Sequence, residues 1–269
     1  MTLTTPTEKN ILIIGVDSQI GHALSVYLHA IGIPCVGTSR KKQHISQNIY
    51  FFDFADPDFN VFDQRFSHAI ICAGVTNIAE CESDPIGCKQ INVIHTTALI
   101  DILNRNGTFV IYLSSNAVFN GNKPFYRYDD VTSPETKYGA YKCEVEDYLA
   151  ANSPENNCVL RLTKVISITT PFIERWHQQA KAGQAITAFT NRFVSPIDIN
   201  EVIRTIHRLI EIKPRGLFQL GNQKEYSYYQ YAQVLFQDRP DMLDLLVPTE
   251  DPLSVEKQSY NSLHTFLPD

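Results

Sequence analysis

The chain has 269 residues, 43% of them hydrophobic, and a formal net charge of −6. This length suits one large α/β domain, or one domain with a smaller appendage, and is enough to bury a sizeable core. The acidic balance, with basic residues confined to short groups such as Arg40-Lys41-Lys42, argues against general nucleic-acid binding. No apolar run approaches the ~18–20 residues needed to span a bilayer. The N-terminal MTLTTPTEKN has no apolar signal core, so a cytoplasmic location away from membranes is expected. The six cysteines form no CxxC pair and several lie in apolar runs, which suits a reducing compartment and speaks against a metal site.

Apolar runs alternate with amphipathic ones along the chain. ILIIG (11–15), PCVGTS (34–39), NIYFFD (48–53), HAIICAG (68–74), TFVIYLSS (108–115) and CVLRLT (158–163) read as strands. QIGHALSVYLHAIG (19–32) and PIGCKQINVIHTTALIDILNRNG (85–107) read as helices between them. Continuous apolar strands separated by helices predict a doubly wound α/β fold, a parallel sheet covered on both faces. It is expected over residues 1–165. The remainder, 166–269, predicts a smaller α/β substrate lobe, with some exchange of chain between the two. Its expected elements are a helix opening at Thr170-Pro171, further helices at 198–213 and 227–237, and a short strand, GLFQLG, at 216–221. The long loop 120–137 has the length of a functional one.

Gly15-Val16-Asp17-Ser18-Gln19-Ile20-Gly21 joins the first strand to the first helix. A glycine turn feeding a helix N-terminus is the context in which backbone amides hold a dinucleotide pyrophosphate. Ser18 stands where a middle glycine is usual, Asp17 adds a negative charge, and a plain βα turn gives the same pattern. The second strand ends Thr38-Ser39-Arg40-Lys41, without the acidic residue that commonly holds a ribose 2′-hydroxyl. Ser39, Arg40 and Lys41 can instead hold a 2′-phosphate, which points to NADP(H) in preference to NAD(H); a solvated basic loop is the plainer alternative. Asp53, with Phe54, is placed for the adenine, and Cys72-Ala73-Gly74 for close passage of the cofactor.

Tyr138 and Lys142, in YGAYK, lie one turn apart on a helical stretch. A lysine on the same face draws a tyrosine's pKa down and makes the phenol a usable proton donor. An ordinary surface helix shows the same spacing.

Together these segments resemble the extended short-chain dehydrogenase/reductase superfamily, and most its dTDP-4-dehydrorhamnose reductase-like branch. The resemblance is carried by AGVTNIAECESDP (73–85), Asn92, LSSNAVFNGNKPFYRYDD (113–130), Pro134, YGAYKCEVE (138–146), NRFVSPIDINEV (191–202) and YNSLHT (260–265). It implies a catalytic set of Ser115, Tyr138 and Lys142. Tyr138 would give the proton, Ser115 would bind the same oxygen, and Lys142 would bind the nicotinamide ribose and lower the tyrosine pKa. It implies cofactor contacts at Gly15, Ser18, Gln19, Ile20, Gly21, Ser39, Arg40, Asp53, Phe54, Cys72, Ala73, Gly74 and Ser114. It implies substrate contacts at Thr76, Asn116, Phe119, Arg192 and Asn261, although Arg192 reads equally as a surface residue. The expected activity is NADP(H)-dependent reduction of a nucleotide-linked 4-keto sugar in deoxysugar or polysaccharide synthesis, by an enzyme that forms homodimers. Two alternatives stay open: a sugar-nucleotide epimerase and a non-catalytic regulatory subunit. A dehydratase needs an Asp-Glu pair after Ser115, and the chain has Asn116-Ala117.

Overall fold

A computed structural model describes residues 10–252 and 260–269; apart from Asn10, the polar N-terminal stretch read above lies outside the described residues. The strands are β1 (Ile11–Ile14), β2 (Cys35–Ser39), β3 (Ile49–Phe51), β4 (His68–Ile71), β5 (Phe109–Ser115), β6 (Asn157–Leu162), β7 (Lys164–Ile166), β8 (Ile186–Phe189), β9 (Phe193–Val194), β10 (Pro196–Asp198), β11 (Gly216–Leu220), β12 (Tyr226–Ser227) and β13 (Leu246–Thr249). The α-helices are α1 (Gln19–Ala30), α2 (Ile78–Ser83), α3 (Pro85–Lys89), α4 (Thr96–Arg105), α5 (Lys137–Asn152), α6 (Pro171–Lys181), α7 (Ile199–Ile212), α8 (Tyr228–Leu235) and α9 (Pro240–Leu243).

Seven strands form one parallel sheet in the order β11-β6-β5-β4-β1-β2-β3. The apolar runs are continuous because side chains on successive residues face opposite sides and both sides are covered. Ile11 and Ile13 enter one core with Leu24, Leu28, Val202, Ile206 and Leu209 of α1 and α7. Leu12 and Ile14 enter the other with Leu99, Ile100, Leu103, Val145 and Leu149 of α4 and α5. All four β1 residues are fully buried, worth roughly 1.5–3 kcal/mol each. The strand order reverses direction between β1 and β4, so the carboxyl ends of β1, β2, β4, β5 and β6 open onto a crevice, the usual ligand position in such sheets.

The helix expected over 85–107 is interrupted. Residues Gln90–His95 form a π-helical stretch between α3 and α4. The Thr96 hydroxyl donates to the Ile91 carbonyl at 2.9 Å, and the wider turn aims the buried Asn92 amide at residue 75. Asn92 accepts from the Val75 amide at 2.8 Å and donates to the Val75 carbonyl at 2.8 Å, bracing the segment after β4.

The chain exchanges beyond residue 165. β11 returns to pair with β6, and α7 packs on α1. The rest of this region carries a separate core of Ile173, Trp176, Ile186, Ala232, Phe236 and Met242. Three two-stranded sheets edge it, β7 with β10, β8 with β13 and β9 with β12.

One buried polar network joins these parts. Arg161, next to the last residue of β6, donates to both Glu146 carboxylate oxygens, the shortest contact being 2.6 Å. It also donates to the Tyr128 carbonyl and to Gln219 Oε1, each at 3.3 Å. Gln219 donates in turn to the carbonyls of Tyr126 (3.0 Å) and His264 (3.2 Å), and the Ser114 hydroxyl donates to Glu146. Glu146, Arg161 and Gln219 are all buried. Glu146→Ala leaves the guanidinium buried without its counter-charge and is expected to cost about 3–5 kcal/mol. The Glu146→Ala/Arg161→Met double variant should regain much of that loss. Denaturant midpoints of the three proteins check this; additive losses would mean the two groups are not coupled.

Candidate active site

The crevice has two contiguous lobes, sharing Ser18, Cys72, Ala73 and Thr76. One, of about 410 Å³, lies over β1, β2 and β4. The other, of about 530 Å³, reaches from Gln19 and Ile20 past β5 and α5 to the carboxyl-terminal segment.

At the head of α1, Gly15 turns with φ +89°, and a Cβ there would stand 2.7 Å from that of Ala73. Glycine is therefore required by both conformation and space. Ser18 sits at the position of the missing glycine for a local reason. It is the N-cap of α1, in ordinary extended conformation, accepting from the Gly21 amide at 3.0 Å and donating to the Gly15 carbonyl at 2.8 Å. Gln19 and Ile20 then bring the first amides of a 12-residue helix to the wall of the cleft, which fits a pyrophosphate. The Gln19 side chain bridges to Ser167 (2.7 Å) and Thr170 (3.3 Å), linking this loop to the second core. Gly21 lines neither lobe; its amide serves the Ser18 cap. Asp53, Phe54 and Gly74 line the smaller lobe. Asp53 also accepts from the Ala55 amide at 2.9 Å, and Phe54 packs edge-on against Phe52.

The end of β2 differs from the sequence expectation. Ser39 is buried and donates to Asp17 Oδ2 at 2.5 Å, while accepting from the Lys41 amide at 2.9 Å. Its proton is spent inside the protein, so Ser39 is not the phosphate donor expected. Asp17 Oδ1 is also bound by His44 Nδ1 at 2.5 Å. Burial works to raise the Asp17 pKa, but the hydrogen bonds from Ser39 and His44 outweigh it and hold the carboxyl below its usual value. Arg40 and Lys41 line the same lobe.

The larger lobe brings together Ser115, Tyr138 and Lys142. Thr136 caps α5 by accepting from the Gly139 amide at 3.1 Å. Gly139 lets the helix approach the segment after β5: a Cβ there would stand 2.0 Å from the Ala117 carbonyl oxygen. This close approach sets Tyr138 beside Ser115 in the wall of the larger lobe, where the Ser115 hydroxyl donates to Asn116 Oδ1 at 3.3 Å. Lys142 donates to the Leu113 carbonyl at 2.8 Å and lies 4.5 Å over the Tyr112 ring and 5.7 Å from the centre of the Tyr138 ring. Tyr141, one residue away, is buried and donates to the Pro85 carbonyl at 2.7 Å. The expected lowering of the tyrosine pKa is not found. Burial pushes Tyr138 up to about 12, the Ser115 hydrogen bond only partly opposing it. Burial also brings Lys142 down to about 8, against the pull of Glu146. The ammonium charge is itself held at a cost in this wall and does not offset desolvation of the phenolate.

Ser114 lines the larger lobe, but its hydroxyl faces Glu146, so the cofactor contact expected of its side chain is not available. Thr76, Asn116, Phe119 and Asn261 also line this lobe. The Asn116 amide is committed to Asn261, donating to its carbonyl at 3.1 Å and to Oδ1 at 3.2 Å. Asn261 Nδ2 donates to the Phe193 carbonyl at 3.0 Å, so the carboxyl-terminal segment is sewn across the mouth of the cleft. Phe119 stacks on Tyr126, centroids 4.2 Å apart. Arg192 does not line the cleft; it pairs with Asp251 at 3.2 Å. The cation that does line the larger lobe beyond Lys142 is Lys164, with Phe193, Tyr228 and Tyr260 as further walls. Sequence reading missed these. It also missed Arg161, although a charged residue inside the apolar run CVLRL signals a buried partner.

The depressed Lys142 pKa is open to a direct check. Its amine should acylate with a pH midpoint near about 8, whereas exposed lysines follow the ordinary value of about 10.4. Competitive labelling across pH with mass spectrometry measures this; a midpoint shared with the surface lysines would show that the wall does not desolvate the amine.

The model of the family described as "RmlD substrate binding domain" matches residues 9–263. A dTDP-4-dehydrorhamnose reductase of Sinorhizobium fredii (strain NBRC 101917 / NGR234) is 29% identical over 173 residues, which cover 61% of this chain and 58% of that protein. The chain thus spans less than two thirds of that relative. Methionine adenosyltransferase 2 subunit beta of Pongo abelii is 33% identical over 242 residues, covering 84% of this chain and 70% of that one. Among solved structures, a dTDP-4-dehydrorhamnose reductase from Bacillus anthracis str. Ames in complex with NADP has a TM-score of 0.82 at 18% identity, covering 97% of this chain and 91% of that one. Over residues 9–263, the chain belongs to the RmlD substrate-binding-domain family of the extended short-chain dehydrogenase/reductase superfamily.

Proposed function

We propose that the chain is an NAD(P)H-dependent reductase of a nucleotide-linked 4-keto sugar. The observation that carries this reading is the convergence of Ser115, Tyr138 and Lys142 in the larger lobe, directly beyond the cradle at the head of α1. A dinucleotide fits that cradle: Gly15, Ala73 and Gly74 give its backbone room, and the first turn of α1 faces its pyrophosphate. Arg40 and Lys41 offer counter-charge to a 2′-phosphate, the ground for reading the cofactor as NADP(H). The six cysteines are all free, in keeping with a cytoplasmic role.

Bound there, the nicotinamide supplies the reducing equivalent. The chain's own residues manage the oxygen. Ser115 and Tyr138 line the same lobe, and in this reading their hydroxyls meet the carbonyl oxygen that gathers charge as it is reduced. Tyr138 gives that oxygen its proton, in the neutral form a donor needs. Lys142 places a positive charge under the ring face and holds the Leu113 carbonyl. The nucleotide end of the substrate extends towards Phe193, Tyr228, Tyr260 and Lys164, the last a counter-charge for its phosphates.

A second reading follows from the match to a protein named as a subunit of methionine adenosyltransferase: a dinucleotide-binding regulatory subunit without turnover. Consumption of NADPH and NADH in the presence of a dTDP-linked 4-keto-6-deoxy sugar separates the two. Under the reductase reading the wild-type chain consumes the reduced cofactor, and Tyr138→Phe lowers kcat by about 10²–10⁴-fold with dinucleotide affinity retained. Dinucleotide binding with no consumption by the wild-type chain would favour the regulatory subunit. Retention of cofactor through purification, with an epimeric product and no net consumption, would favour an epimerase.

A further inference from the structure

The second strand carries no acidic residue at its end, yet a carboxylate is there. Asp17 reaches it from the loop before α1, held by Ser39 at 2.5 Å and by His44 at 2.5 Å. It lines the same lobe as Arg40 and Lys41, with Asp53 and Glu80 further along the wall. In this fold the end of the second strand is where the adenosine ribose lies, and a carboxylate there accepts from its 2′-hydroxyl.

We infer that Asp17 is a specificity-determining residue that opposes the 2′-phosphate, offsetting Arg40 and Lys41, so that the chain accepts NADH alongside NADPH. The inference rests on the dinucleotide reading given above. Three features support it. The Ser39 hydroxyl, the one neutral donor expected for a 2′-phosphate, is turned onto Asp17. The side chain of Asp17 is fixed by two partners and so does not swing away at little cost. The position is accessible from the cleft, with 23% of the Asp17 side chain exposed, where a bound phosphate would meet its charge. Arg40 forms no hydrogen bond or ion pair among the described residues, so its charge is free to act in the other direction.

Calorimetric titration of the full chain with NADPH and with NADH tests this. Asp17→Asn keeps the shape and removes the charge; it should raise NADPH affinity relative to NADH by about tenfold, the scale of one close charge pair at a solvated surface. Asp17→Ser should shift the ratio in the same direction, and Arg40→Gln in the opposite one. An unmoved ratio in both Asp17 variants would overturn the inference while leaving the function standing. Equal weakening of both dinucleotides would also overturn it, making Asp17 a strut of the loop. Failure of the wild-type chain to bind either dinucleotide would remove the cofactor site itself, and this inference with it.

Discussion

The contact on which the candidate site depends is the buried pairing of Glu146 with Arg161. Six parts of the chain meet there. Ser114 comes from β5, Arg161 from β6, Glu146 from α5, Gln219 from β11, and the carbonyls of residues 126, 128 and 264 from segments without regular structure. Such a pair adds little net stability over an apolar replacement, because desolvation nearly cancels attraction. Its value lies in direction. Each remaining polar atom must find a partner, and only one arrangement of helix, sheet and loop supplies all of them. Glu146 lies four residues after Lys142 and eight after Tyr138, on one face of α5. Fixing it against β5 and β6 fixes where the lysine and the tyrosine meet Ser115.

The parallel sheet was legible because both its faces are covered. A strand buried on both sides must be apolar at every position, and such runs leave an unambiguous mark. ILIIG and TFVIYLSS each map onto a central strand. The second core was not legible in the same way. Its strands are two to four residues long, too short for any period to emerge, and they pair with segments far along the chain. The site shows the same division. Residue types near strand ends were readable, but side-chain direction was not. Ser114 and Ser115 are neighbours in β5 and so face opposite sides of the sheet; one meets Glu146 and the other Tyr138. Ser39 likewise turns towards a carboxylate that arrives from 22 positions earlier. Arg192 was a candidate by composition alone, and its partner Asp251 lies 59 positions away in the sequence (251 minus 192).

Asn116, in the Asn116-Ala117 pair after Ser115, has a structural role. A carboxylate at 116 could not donate to the Asn261 carbonyl, whereas the Asn116 amide does so at 3.1 Å. The segment after β5 and the carboxyl-terminal segment are thereby joined, and Asn261 carries the link on to β9. The mouth of the cleft is built from these three pieces, so its shape is set by amide-to-amide contacts. Under the reductase reading, this places substrate discrimination on residues far apart in sequence, which is why the fold could be read from the chain and the substrate could not.

The tyrosine pKa bears on the role Tyr138 plays in the proposed chemistry. A phenol near neutral pKa would serve equally as acid and base. Burial instead puts Tyr138 at about 12, so at physiological pH it is almost wholly protonated. That is the wrong form for removing a proton from an alcohol and the right form for giving one to an alkoxide. The transfer is downhill in that direction, since an alkoxide's conjugate acid titrates well above a phenol. Lys142, at about 8, remains mostly charged at neutral pH and so lowers the cost of the phenolate that each transfer leaves behind. The same desolvation therefore does two things: it keeps the donor loaded between turnovers, and it makes the stored charge beside it worth more than it would be in water. Under the reductase reading, both features suit the donation of a proton to a developing alkoxide.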